Sequence, residues 1–267
     1  MTKLRPHSDE WYDRLSQLQR GYFYPWQSTI AEGGGEDAYL SLVRDHLARD
    51  KDVLDMGCGH GELALQFADD CRTIVGHDRV APYIRMANKI ARDRRIKNAS
   101  FTCADTRDAA ATTVGVLAEH EAFDLVISRR GPLSWIPYAR QIARTGAVLI
   151  QLNPALDTQP HWNRELPESL RYEESGRFGA DGCMKEAVEA RLSGAGLKFH
   201  SCWHFDVPET FHDPKNLYLM LSWGRSRAET PSYQQVRRPL EQIFRRHASE
   251  EGLALPHRRF LWKAVID

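Results

Sequence analysis

Five short runs rich in β-branched residues recur along residues 51–154, separated by segments with helical spacing. That alternation constrains the fold more than any other feature of the chain. The runs are KDVLDMG (51–57), RTIVGHD (72–78), ASFTCAD (99–105), FDLVISR (123–129) and GAVLIQLNP (146–154). Strands rejoined to one sheet through crossover helices run parallel, and a parallel sheet needs helices on both faces. The spacing predicts helices over ELALQFADD, over VAPYIRMANKIARDRR, near 107–119 and over LSWIPYARQIAR. A further helix at 36–50 places Tyr39, Leu40, Val43 and Leu47 on one face.

Between the first run and its helix lies DMGCGHGE, Asp55 to Glu62. Gly57, Cys58, Gly59, His60 and Gly61 make G-x-G-x-G, a turn whose missing Cβ atoms let a ligand approach the backbone closely. A dinucleotide fingerprint needs a glycine where this chain has Glu62, and no G-K-[ST] follows to make a phosphate loop. Three acids end successive strands and give the ligand more definition. Asp55 is placed to meet an ammonium group, Asp78 to accept from the two hydroxyls of a ribose, and Asp105 to accept from the exocyclic amine of adenine. An ammonium, a ribose and an adenine together point to S-adenosylmethionine.

The motif order VLDMGCGHG, IVGHD, CADT, FDLVIS resembles that of class I S-adenosylmethionine-dependent methyltransferases over roughly residues 36–154. The resemblance implies an α/β, Rossmann-like, doubly wound sheet of seven mostly parallel strands with an antiparallel C-terminal strand. RFLWKAVID (259–267) fits that last strand and LKFHSCWHFDV (197–207) its partner. It implies further that Asp55, Gly57, Cys58, Gly59 and Gly61 line the methionine end, that Asp78 and Arg79 lie at the ribose, that Asp105 and Thr106 lie at the adenine, and that Ser128 lies on the floor. The product would be S-adenosylhomocysteine. No metal is expected.

Where many nitrogen methyltransferases of this type carry an Asn-Pro-Pro-Tyr tetrapeptide, this chain has SRRGP. That places Arg129 and Arg130 at the methyl-transfer point, and guanidinium suits a carboxylate or phosphate. Outside the core, residues 1–35 form an N-terminal lid segment, ahead of a methyltransferase domain at 36–267 with insertions at about 155–183 and 207–252, expected to be helical lids. The aromatic group Tyr22, Phe23, Tyr24 and Trp26 is expected to close over the site, Trp26 on the cofactor and Tyr22 and Tyr24 on the substrate. In the 155–183 insertion, Trp162 is a candidate substrate contact and His161 a candidate general base, as is His204. Direct displacement can also proceed by alignment alone.

Lys plus Arg and Asp plus Glu each number 36, so no global field draws the chain to nucleic acid or an anionic membrane. The start lacks the apolar run of a signal peptide, no window approaches a membrane span, and the five scattered cysteines form no CxxC pair. A soluble, cytoplasmic enzyme acting on a small molecule is therefore expected, the molecule being anionic if an arginine meets it. An RNA or protein methyltransferase is the alternative on the strength of RRPLEQIFRRH (237–247), and a non-catalytic cofactor-binding scaffold or sensor is another.

Overall fold

The computed structural model describes residue 4 and residues 8–105, 123–155, 159–171, 184–226 and 228–267. The helix expected near 107–119, Thr106, Cys183 and most of the 155–183 insertion lie outside the described residues.

The strands are β1 (Thr29–Ile30), β2 (Asp52–Met56), β3 (Thr73–Asp78), β4 (Ala99–Cys103), β5 (Phe123–Arg129), β6 (Ala143–Pro154), β7 (Ser201–Phe211) and β8 (Leu253–Val265). They form one sheet in the order β1-β7-β8-β6-β5-β2-β3-β4. Strands β2 to β6 pair in parallel, and β8 runs antiparallel to β6. The fold is thus the mostly parallel sheet with an antiparallel C-terminal strand that the sequence leads one to expect. The eighth strand is β1, whose Thr29 and Ile30 pair with Thr210 and Glu209. Two residues are too few to show a period of two.

The chain divides into two compact units. A core unit comprises Gly35–Ala155, Asp181–His204 and Arg259–Asp267, and an accessory unit comprises Met1–Gly34, Leu156–Ala180 and Phe205–Arg258. In the core unit, β2 is buried at all five positions, as expected for a strand covered on both faces. Helix α2 (Glu36–Arg44) buries Tyr39 and Val43, α3 (Glu62–Phe67) buries Leu63, Ala64, Leu65 and Phe67, and α4 (Ala81–Asp93) buries Tyr83, Ile84, Ala87 and Ala91. The helix expected over 133–144 shrinks to a 3-10 turn at Ile136–Tyr138 and α5 (Ala139–Ile142). Strand β6 begins at Ala143, where Arg144 is drawn into ion pairs with Asp52 at 3.3 Å and Asp124 at 3.2 Å. A further core-unit helix is α6 (Met184–Gly194).

The accessory unit has its own apolar core, in which Trp162, Leu166, Leu170, Phe211, Leu217, Leu240 and Leu253 are among the buried members. Its helices are α1 (Asp9–Leu18), α7 (Pro214–Ser222) and α8 (Tyr233–His247). Asp213 caps α7 by accepting from the backbone N–H groups of Lys215 and Asn216, each at 2.9 Å. The rings of Tyr22, Tyr24 and Trp26 converge on Trp223, with centroids 5.3, 5.0 and 5.4 Å away.

Candidate cofactor site

Sheet order reverses at β2. From it the chain builds β3 and β4 to one side and β5 and β6 to the other, and in open parallel sheets ligands bind in the crevice at the carboxyl ends of the strands at such a switch. The glycine turn leaves β2 at this point.

Gly57, Gly59 and Gly61 have φ of +74°, +55° and +81°, the left-handed region where other residues are strained. Space demands glycine as well. A Cβ on Gly61 would lie 2.6 Å from the Phe101 ring, and one on Gly57 would lie 2.9 Å from Pro132 Cδ. The turn is tied to the next strand, where the His77 carbonyl accepts from Gly57 N–H at 2.8 Å and from Cys58 N–H at 3.0 Å.

Asp78 completes that tie. Its Oδ2 accepts from Gly59 N–H at 2.9 Å and its Oδ1 from Val80 N–H at 2.8 Å. Burial pushes its carboxyl above the usual range, against the pull of these two donors. The acid read as a ribose acceptor therefore also holds the glycine turn in shape, using one lone pair on each oxygen.

Asp55, in β2, is 2% exposed. Burial pushes its carboxyl up to about 7, with Arg129 opposing, Asp78 and Glu62 adding repulsion and the Ala64 N–H contributing a hydrogen bond. Oδ2 of Asp55 has no hydrogen-bond partner. A buried carboxylate oxygen left unmatched is costly, and a cationic donor would satisfy it.

Arg129 leaves β5 half-buried and donates to Glu36 at 2.8 Å and to Glu62 at 2.5 Å. Burial works against its charge, but the two carboxylates outweigh it and hold the guanidinium firmly protonated. Its fork is thus shared between the first turns of α2 and α3. Arg130 adopts φ of +63° and donates its backbone N–H to the Leu152 carbonyl at 2.7 Å. Ser128 is fully buried, and its hydroxyl donates to the Met56 carbonyl at 2.7 Å, joining β5 to β2. Gly131 follows at a position where a Cβ would lie 2.3 Å from Ser128 Oγ.

Cys58 is buried, and burial raises its thiol well above the ordinary value, so it fills space rather than reacts. Arg79 and Asp105 are half-buried at the ends of β3 and β4. Asp105 acts electrostatically on His77, a buried imidazole with neither ring nitrogen partnered, which burial pushes down to about 4. His204 lies exposed on β7 with its ring 4.7 Å from that of Phe260.

The accessory unit holds the remaining candidates. Trp26 donates its indole N–H to Glu209 at 3.4 Å, beside Ser28 Oγ at 2.6 Å and His257 Nδ1 at 3.2 Å from the same carboxylate. Trp162 is 2% exposed within the accessory core. His161 is exposed, with Nε2 3.1 Å from His247 Nδ1, and His247 in turn meets Glu165 at 2.7 Å. Among the described residues no group of three His, Cys, Asp or Glu side chains is arranged to hold a metal, and no helix is long and apolar enough to cross a membrane.

Three residues at the site escaped the sequence reading. Tyr39 shows there only as a helix-face aromatic, Glu62 only as the residue that breaks a dinucleotide fingerprint, and Glu36 only as the start of a helical segment. All are located by contacts with residues far along the chain, and no local pattern marks them.

Residues 47–166 match a family model described as a methyltransferase domain. Over 70 residues the chain is 37% identical to the 23S rRNA (uracil(1939)-C(5))-methyltransferase RlmD of Pseudoalteromonas translucida, a match spanning 26% of this chain and 16% of that protein. A functionally unknown protein from Deinococcus radiodurans superposes with a TM-score of 0.66 at 19% identity, over 96% of this chain and 99% of that one. A SAM-dependent methyltransferase from Geobacter sulfurreducens, solved with S-adenosyl-L-homocysteine, superposes with a TM-score of 0.50 at 14% identity over the whole of both chains. Residues 47–166 thus match a methyltransferase domain, and the mostly parallel sheet that carries them has the fold of these methyltransferase structures.

Proposed function

We propose that the chain binds S-adenosylmethionine at the switch point and transfers its methyl group to a small molecule in the cytoplasm. The observation that carries the cofactor is the unpartnered, buried Oδ2 of Asp55 beside a glycine turn at the end of β2. The set of acceptors fits a nucleoside bearing an amino-acid tail. Asp55 takes the ammonium, Asp78 has lone pairs left for the ribose hydroxyls, and Asp105 takes the adenine amine. Gly57, Gly59 and Gly61 admit the ligand close to the backbone, with Cys58 and Ser128 packed beneath the turn, and Arg79 and Thr106 flanking the nucleoside.

The bound cofactor supplies a methyl group already activated on a sulfonium, so the protein's task is to align the acceptor and exclude water. Arg129, shared between Glu36 and Glu62, and Arg130 beside it are the arginines we assign to an anionic group on the acceptor. We assign acceptor selection to segments 1–35, 155–183 and 207–252, with Tyr22, Tyr24, Trp26 and Trp162 among its contributors. His161 or His204 would serve as base for an acceptor that must lose a proton, and His161 already shares a hydrogen bond with His247. The balance of 36 cations and 36 anions supports a small acceptor over a polyanion. The four cysteines among the described residues are all free thiols, Cys103 among them exposed, which supports the reducing cytoplasm.

Titration calorimetry with S-adenosylhomocysteine tests the cofactor. Binding in the micromolar range is expected, and Asp55→Ala should weaken it at least tenfold, whereas tight binding of NAD instead would refute the reading. Transfer of labelled methyl from S-adenosylmethionine to a panel of small carboxylates, amines and phenols tests the acceptor. A second reading, methylation of RNA, is favoured by the 70-residue match to an rRNA enzyme. Label appearing on RNA and on none of the small molecules would establish it.

A further inference from the structure

Tyr39 lies in the second turn of α2, fully buried, and its hydroxyl has no hydrogen-bond partner. A buried hydroxyl without a partner costs folding free energy comparable to a lost hydrogen bond. Phenylalanine would fill the same space without that cost. Tyr39 feels the charges of Asp55, Arg129, Glu36 and Arg130, so its hydroxyl lies in the same electrostatic neighbourhood as the unpartnered Asp55 oxygen. Two polar atoms, one on a helix and one on a strand, are thus left unmatched in one buried neighbourhood. One turn earlier on α2, Glu36 is fixed by Arg129 at 2.8 Å, so the helix carrying Tyr39 is pinned to the end of β5.

We propose that the Tyr39 hydroxyl is a positioning residue for the amino-acid end of the cofactor, donating to its carboxylate while Asp55 receives its ammonium. The inference rests on the S-adenosylmethionine reading above. An α-amino acid end carries one cation and one anion. Asp55 serves the cation, and with the Arg129 fork shared between Glu36 and Glu62 the buried Tyr39 hydroxyl is a neutral donor for the anion. Burial, with Asp55 adding to it, raises the phenol well above its ordinary value, so it keeps the proton it would donate.

The test compares two nucleosides that differ at that end. S-adenosylhomocysteine carries the amino acid, and 5′-methylthioadenosine lacks it. For Tyr39→Phe we expect affinity for the first to fall about tenfold, about 1.4 kcal/mol. Affinity for the second should be unchanged, and the free protein should melt at the same temperature or higher. Equal loss for both ligands would make Tyr39 a packing residue and overturn the proposal. So would unchanged S-adenosylhomocysteine affinity, or a lower melting temperature of the free variant. A parent protein that binds neither nucleoside would instead refute the cofactor reading itself and take this inference with it.

Discussion

Asp55 and His77 sit on neighbouring strands with unmatched polar atoms, and burial drives their protonation in opposite senses. Asp55 is raised from 3.8 to about 7, so the folded protein binds more protons than the unfolded chain between those values. Its stabilising contribution is present below pH 3.8 and lost as the pH rises through 7. His77 is lowered from 6.5 to about 4, and its contribution is present above pH 6.5 and lost as the pH falls through 4, about 3 kcal/mol in all. The two slopes oppose each other, so the parent should show a shallow profile. Urea melts across pH 4–7 should show stability rising steeply with pH for Asp55→Asn and falling with pH for His77→Leu, and parallel profiles for parent and variants would reject both assignments. An ammonium arriving at Asp55 must also displace its proton. Calorimetry at pH 7 in buffers of different ionisation heat should read about half a proton released per S-adenosylhomocysteine bound, and none with Asp55→Asn. These strand-end residues were legible because their spacing from the strands is local. Tyr39 and the pairing of Arg129 with acids 93 and 67 residues away were not, since only the folded sheet brings them together.

The parallel strands were legible almost to the residue because continuous β-branched runs bounded by turn residues admit few other readings. The elements that departed from expectation did so for tertiary reasons. The 133–144 segment has helical spacing, but Arg144 serves Asp52 and Asp124 at the start of β6, and the helix stops short. The turn after β5 shows the opposite effect, a local strain that the surroundings impose. Arg130 holds φ of +63° between a strand end and Gly131, a position where glycine is favoured by about 1 kcal/mol. Arg130→Gly should therefore raise the unfolding free energy by about that much while reducing use of an anionic acceptor. Arg130→Lys, which keeps the charge and the strain but loses the planar fork, should reduce acceptor use with stability unchanged. Denaturant melts paired with methyl-transfer kinetics separate the two, and an acceptor preference unaffected by either variant would release Arg130 from the role.

Across the whole molecule, opposite charges cancel, and α8, the most basic element, spends Arg237 on Glu241 and Arg246 on Glu165. Binding to a short RNA should accordingly be weak and change little between 50 and 200 mM salt. A steep loss of tight binding over that range would favour the RNA reading. The division into units was not legible as such, because the accessory unit is assembled from three separated stretches whose shared core has no period along the chain. Two of its junctions, His204–Phe205 and Arg258–Arg259, fall inside β7 and β8. Recombination exchanges contiguous segments most readily at loops, and here a clean exchange would have to cut two hydrogen-bonded strands in register. The accessory unit is therefore poorly suited to exchange as a cassette, and change within its core proceeds by substitutions spread over the three stretches.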